Sequence, residues 1–324
     1  MSAALIINWI QSTLTWSAPL IICAMGEVFA ERSGVINMGI EGIMLFGALC
    51  GVSVCYYSGS PFVAILASIV VGAVLGLAVS YLTVSRRTNQ VVTGLMVNML
   101  ATGATNLIFA LLKETRHNRA QTFSALFPES TFDIPVVGTI LFSQPFSTWV
   151  AFLLPFVAAF IMYKTRWGLN VRAVGDNPKA CATAGLNVIK IKYQTVILSG
   201  IMAALAGCAL TLATSGYFAA GGMTNGRGFI VLAAVVVGGW DPIRTMLSCV
   251  LFGAADALQM RLQITGSVIP TQFLQMLPYL VTMFALMLTG KRLRSPAADG
   301  VPYLHPISIE QAKSKGPDEP EKSE

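Results

Sequence analysis

Nine long apolar stretches dominate this sequence and leave little choice of fold. They run near 13–30, 35–57, 61–84, 91–112, 146–163, 191–214, 229–240, 243–262 and 271–289. Most approach the ~20 residues that a helix needs to cross a ~30 Å hydrocarbon core. Runs of this length are not the ~10-residue alternating strands of a membrane barrel. Composition agrees, since 11% of the 324 residues are charged, against roughly 25% in a soluble domain. The expected fold is all-α, a polytopic transmembrane helical bundle of about nine spans, between eight and ten, with broken helices. The stretch 229–240 is short and runs on to Trp240-Asp241-Pro242, as half of an interrupted span would. Two regions follow: a membrane domain over 1–290 and a tail over 291–324, Pro-rich from Ser295 onward, expected to be cytoplasmic and disordered.

Orientation is read from the basic residues, because loops rich in Lys and Arg stay in the cytoplasm. Arg86-Arg87, the loop 164–192 and Lys291-Arg292-Leu293-Arg294 belong inside. Threading the spans between these anchors places the loop 113–145 and residues 215–228 outside, and Asp241 and Arg244 inside. The N-terminus falls outside by parity, although residues 1–26 carry no Lys or Arg to fix it. A cleaved signal peptide is not expected, because the first Arg is Arg32 and a basic n-region is missing. The net charge of +6 follows this topology and does not point to nucleic acid.

Within the loop 164–192 the sequence builds a short capped helix. Asn177 is a good N-cap, Pro178 suits the first helical position, and Gly185 supplies the left-handed residue that ends the helix after Ala184. Such a helix, held by flanking spans, either couples mechanically to a soluble partner or merely tidies a loop. No G-x-x-x-x-G-K-[ST] loop occurs, so the chain is not expected to bind nucleotide in that way, and any ATP would be hydrolysed by another chain. His117 and His305 are the only histidines, and the six cysteines show no C-x-x-C spacing, so neither a metal nor any other cofactor is expected. The pairs Gly47…Gly51, Gly72…Gly76 and Ala203…Gly207 are small-xxx-small spacings. They allow close helix approach, within the chain or at a dimer interface.

Several runs resemble a known family. Gly26-Glu27-Val28-Phe29-Ala30-Glu31-Arg32-Ser33-Gly34-Val35-Ile36-Asn37-Met38-Gly39-Ile40-Glu41-Gly42 is similar to the N-terminal signature of ABC-transporter permeases of the ribose and branched-chain amino-acid type. Within that group it most resembles the nucleoside and simple-sugar branch. Arg172-Ala173-Val174-Gly175-Asp176-Asn177-Pro178, with Ala180, Ala184 and Gly185, resembles the family's coupling loop. Gly226-Arg227-Gly228-Phe229-Ile230 leading to Gly238-Gly239-Trp240-Asp241-Pro242, and Phe252-Gly253-Ala254-Ala255-Asp256-Ala257-Leu258-Gln259, complete the resemblance over roughly residues 15–290. One departure is Lys179-Ala180-Cys181, where broader ABC importers carry an acidic residue and two alanines.

The resemblance implies a permease subunit, not an enzyme, in a bacterial inner membrane. It implies coupling to a separate ATPase chain through Asp176, Asn177, Pro178, Lys179, Ala180, Ala184 and Gly185. It also implies a second, related permease chain and a periplasmic or lipid-anchored binding protein. The implied cargo is a small neutral substrate: nucleosides first, then simple sugars, then riboflavin-like compounds.

Polar residues inside the spans are the candidates for a translocation path. Asn37 and Glu41 are four apart, which puts them on one face of a helix, and a carboxylate in a span must face the bundle or water. Glu41 is therefore either a path residue or a structural cap. Asn98, Thr102, Thr105 and Asn106 follow helical spacing, either as a path for hydroxylated cargo or as bonds between helices. Asp256 and Gln259 are the next pair, with Asp256 open to pairing with Arg261 or Arg244. The same carboxylates, Glu41 and Asp256, would serve an ion-coupled secondary transporter, whose sites form at half-helix ends. A non-transporting membrane scaffold is the third reading.

Overall fold

The computed structural model describes residues 3–112, 118–124, 140, 142–220, 222–264, 270–289 and 295–303. These residues form twelve α-helices: α1 (Ala3–Arg32), α2 (Ile40–Ser58), α3 (Pro61–Ser80), α4 (Gln90–Leu111), α5 (Phe146–Lys164), α6 (Arg166–Asp176), α7 (Pro178–Thr183), α8 (Val188–Leu212), α9 (Arg227–Val237), α10 (Pro242–Ile264), α11 (Thr271–Gln275) and α12 (Leu277–Thr289). A π-helical turn, Tyr81–Ser85, extends α3.

All nine apolar stretches are helical, but seven segments among the described residues are long and apolar enough to cross a membrane. The other two are α9, an 11-residue helix, and α10. At 23 residues α10 has the length of a span, but Arg244, Asp256 and Arg261 lower its hydropathy. The count of nine is thus approximate.

Helices α1 and α8 make the core. α1 packs on α8, α10, α5 and α9, and α8 also packs on α2 and α3. Their approach is close because side chains are missing where backbones meet. A Cβ at Gly207 would lie 1.9 Å from the Met44 carbonyl oxygen, one at Gly47 2.1 Å from that of Ala204, and one at Gly72 2.5 Å from that of Gly200. The small-residue pairs thus serve packing within the chain, where close contact replaces the hydrophobic drive that lipid removes.

Arg32 and Lys192 mark one end of the bundle. Arg32 Nε donates to the Trp240 carbonyl at 2.9 Å, Lys192 Nζ to the Gly34 carbonyl at 3.3 Å, and the Ile36 N–H to Gln90 Oε1 at 2.8 Å. At the opposite end Gln11 meets Ser143, and the Ala120 N–H donates to the Gly216 carbonyl at 2.8 Å. The first turns of α1 therefore lie opposite the basic loops.

Two features go beyond the sequence reading. Part of the loop 164–192 is α6, an amphipathic helix that buries Val171 and Val174. Residues 295–303 also fold back on the basic end, burying Ala298 and Tyr303. Residues 113–117, 125–139 and 290–294 and the tail after Tyr303 lie outside the described residues.

Candidate functional site

Two chain breaks meet in the interior. The first separates α1 from α2. Residues 33–39 leave the basic end and turn back along α1, so that α2 starts beside Glu27. The Asn37 N–H donates to Glu27 Oε1 at 2.8 Å and Asn37 Nδ2 to Ser199 Oγ at 3.0 Å. Ser199 Oγ in turn donates to Glu27 Oε2 at 2.7 Å. From α4, Asn98 Oδ1 accepts from the Gly42 N–H at 2.8 Å and Asn98 Nδ2 donates to the Met38 carbonyl at 2.9 Å. These bonds satisfy backbone that no water can reach in the bilayer core.

The second break precedes α9. Asn225 and Gly226 adopt left-handed backbone, with φ +45° and +77°, and the chain then enters α9 at Arg227. The first amides of this helix have no intrahelical acceptor, and Glu41 of α2 supplies one. Its Oε1 accepts from Thr224 Oγ1 at 2.6 Å and from the Gly226 N–H at 2.9 Å. Its Oε2 accepts from the Gly228 N–H at 2.6 Å. A carboxylate at this position also meets the positive end of the helix dipole. Gly228 is required here, since a Cβ would lie 2.7 Å from Glu41 Oε2.

Arg227 is equally occupied. Its Nε and Nη2 each lie 3.1 Å from Asp256 Oδ2, Nη1 donates to the Met223 and Thr224 carbonyls, and the guanidinium stacks 4.9 Å from the Trp16 ring centre. Asp256 thus pairs with Arg227, and not with Arg261 or Arg244, the partners the sequence had left open beside a path role.

Beside the two breaks lies a polar cavity of about 260 Å³, lined by Glu41, Gly42, Leu45, Thr102, Gly222, Thr224, Asn225, Gly226 and Tyr279. Of the six sequence candidates, Glu41 and Thr102 reach it. Asn37, Asn98, Asp256 and Gln259 are buried elsewhere in the packing. Asn37 and Glu41 also do not share a helix face, because α2 begins only at Ile40. Five cavity residues went unselected in the sequence: Leu45, Gly222, Thr224, Asn225 and Tyr279. Only the glycine-rich run 216–228 hinted at the loop, and Tyr279 gave no signal beyond its place in a span.

At the basic end the capped helix forms as α7. Asn177 Oδ1 accepts from the Ala180 N–H at 3.0 Å. At the other end the Gly185 N–H reaches the Ala182 carbonyl at 3.1 Å, and the Leu186 N–H reaches that of Cys181 at 3.0 Å. With Gly185 at φ +84°, this is the Schellman termination. Asp176, Asn177, Lys179, Ala180, Ala184 and Gly185 are exposed, and Pro178 is half-buried. Nearby Asp241 caps α10, accepting from the Ile243 and Arg244 N–H groups at 3.1 and 3.0 Å. It also accepts from the Tyr163 hydroxyl at 2.7 Å. Trp240, at φ +56°, donates from Nε1 to Glu31 Oε2 at 2.5 Å. The sequence did not single out Glu27 and Glu31, since nothing local tells which distant backbone a carboxylate will hold.

A multi-pass bundle with interrupted helices around a polar cavity, and a capped helix outside it, defines a membrane permease. Residues 9–286 match the family model described as the branched-chain amino acid transport system / permease component, and the chain belongs to that family. It is 37% identical to the guanosine ABC transporter permease protein NupQ of Bacillus subtilis, over 91% of this chain and 96% of that protein. It is 35% identical to the nucleoside ABC transporter permease protein NupC of Lactococcus lactis, over 91% and 96% of the two chains. It is 26% identical to NupP, a second guanosine ABC transporter permease protein of B. subtilis, over 86% of this chain and 81% of that one. The chain is accordingly a transport subunit of an ABC transporter and not an enzyme. An ion-coupled secondary carrier is not favoured.

Proposed function

We propose that this chain is the permease of an ATP-driven importer in a bacterial inner membrane and that it carries a nucleoside, with a simple sugar as the nearest other cargo. The observation that carries the cargo reading is the state of the cavity. Its one carboxylate, Glu41, is held by three donors, and the neighbouring Arg227 is neutralised by Asp256. No free cation remains among the described lining residues for an anionic cargo. Hydroxyl and amide groups from Thr102, Thr224 and Asn225, with the Tyr279 ring, suit a hydroxylated, neutral, aromatic solute. The names of NupQ and NupC support the same choice.

The basic end is cytoplasmic in this reading, by the positive-inside rule, and so is the tail. The exposed ridge of α7, from Asp176 to Gly185, takes the push of a separate ATPase chain. Helices α4 and α12 flank the cavity and bury least against the rest of the chain. Met99 is 77% and Leu288 85% exposed, and their faces would close the path against a second permease chain. A binding protein would deliver cargo to the opposite end. The test is uptake of labelled guanosine into membrane vesicles containing the whole complex. ATP-dependent accumulation, competed by other nucleosides and not by ribose, is the expected result. Accumulation that follows a proton or sodium gradient without ATP would overturn the reading.

A further inference from the structure

The tail segment 295–303 touches every element that carries the surface helix. The Ala298 N–H donates to the Gly175 carbonyl at 2.9 Å, one residue before Asp176. The Ala298 carbonyl lies over the turn after α1, where a Cβ at Gly34 would come within 2.7 Å of it. Gly175 itself sits on the end of α1, since a Cβ there would come within 2.0 Å of the Arg32 carbonyl oxygen. At the far end of the segment Tyr303, 8% exposed, joins the apolar cluster formed by Val171 and Val174 of α6, Cys181 of α7, and Val188 and Ile191 of α8. Internal bonds stiffen the segment: the Asp299 N–H donates to the Pro296 carbonyl and the Val301 N–H to that of Ala298.

We propose that residues 295–303 are a positioning strap, which clamps α6 and α7 to the ends of α1 and α8 so that force applied at α7 reaches the transmembrane core. This inference rests on the reading of α7 as the ATPase contact. Without the strap, α7 is joined to the bundle through α6, the short turn 184–187 and a small contact with α8 around Cys181. A push on α7 would then be absorbed by tilting α6 about Thr165, the β-region residue that caps it. With the strap, Gly175 and Cys181 are held to Gly34, and α1 is the most buried of the spans. The strap makes no contact with the cavity, so its part is to transmit and not to bind.

The experiment uses the complete transporter in proteoliposomes and reads guanosine moved per ATP hydrolysed, normalised to inserted permease. Ala298→Trp, which cannot fit against Gly34 and Gly175, and Tyr303→Ala, which empties the α6–α7–α8 contact, are expected to keep ATP hydrolysis and lower that ratio severalfold. Tyr303→Phe should restore most of it, and Val301→Ser, at a position 55% exposed, should leave it unchanged. A wild-type ratio in both disruptive variants overturns the inference. So does less inserted permease at an unchanged ratio, which is what ordinary fold support would give. Gly185→Val separates the two readings: if it too leaves the ratio unchanged, the coupling role of α7 fails, whereas a loss there with intact strap variants removes the strap alone.

Discussion

At the scale of single residues, Glu41 shows how a side chain can be visible in the sequence while its job is not. Spacing alone suggested a face shared with Asn37, but the carboxylate belongs to the start of a helix almost 190 residues away. Glu41→Gln keeps the shape and removes one acceptor. Its amide nitrogen would then point at the Gly228 N–H or at the Gly226 N–H and Thr224. The cost is about 1–3 kcal/mol for a charge-assisted bond replaced by opposed donors. The expected result is normal insertion with strongly reduced uptake that stays ATP-dependent; wild-type uptake would contradict the capping role. Arg227 and Asp256 are a second case, with side chains 11% and 9% exposed. Asp256→Asn leaves a nearly buried guanidinium without its counter-charge, a loss of about 3–5 kcal/mol. Thermal unfolding of the purified complex should show that loss, and the double change Arg227→Met with Asp256→Leu should recover much of it.

At the scale of elements, α7 was legible down to its ends because caps are local: Asn177, Pro178 and Gly185 each act within a few residues. A Cβ at Gly185 would meet nothing within 4 Å, so Gly185→Val costs only the left-handed conformation, about 1–2 kcal/mol. That is enough to fray the Schellman end, and both ATPase co-purification and uptake should fall at normal permease levels. The preceding α6 was not legible, since its apolar face is only a few residues wide in a basic loop. Nor was the docked start of the tail, whose composition reads as disorder and whose hold depends on glycines at 34 and 175. One titration follows from that docking. Burial pushes the Asp299 carboxyl up from 3.8 to about 6, with Lys192 opposing the rise. Glu27 and Glu31 of α1 are the other charges that interact with Asp299, and its Oδ1 finds no hydrogen-bond partner among the described residues. A carboxyl whose pKa is raised on docking favours the docked state when protonated. Docking should be firmest below about 4 and weaken as pH rises through about 6. Hydrogen-exchange protection of residues 295–303, corrected for intrinsic rates, should be greater at pH 5.5 than at 7.5, and Asp299→Asn should remove the difference.

At the scale of the whole molecule, the all-helical class and the position of every apolar segment followed from hydropathy, because lipid forces the backbone to satisfy itself within each span. The pairing of the two chain breaks did not follow, because hydropathy is blind to which interrupted helix faces which. Orientation can be checked directly. In a background without native cysteines, Arg119→Cys should react with an impermeant maleimide from outside the cell, and Asp176→Cys only from inside. Outside labelling at 176 would reverse the molecule and detach α7 from any cytoplasmic ATPase.

The cavity has one more consequence. It opens beside α4 and α12, whose apolar sides are otherwise suited to lipid, so a solitary copy of this chain presents a carboxylate and several hydroxyl and amide groups next to acyl chains. Exposed in this way, the cavity would be a polar mark on a lone subunit, of the kind that surveillance of misplaced polarity in a membrane could read. If the proposed second permease chain covers this face, the lifetime of a lone subunit in the cell should depend on how soon that chain arrives, which would tie the amounts of the two subunits together without any control of their synthesis.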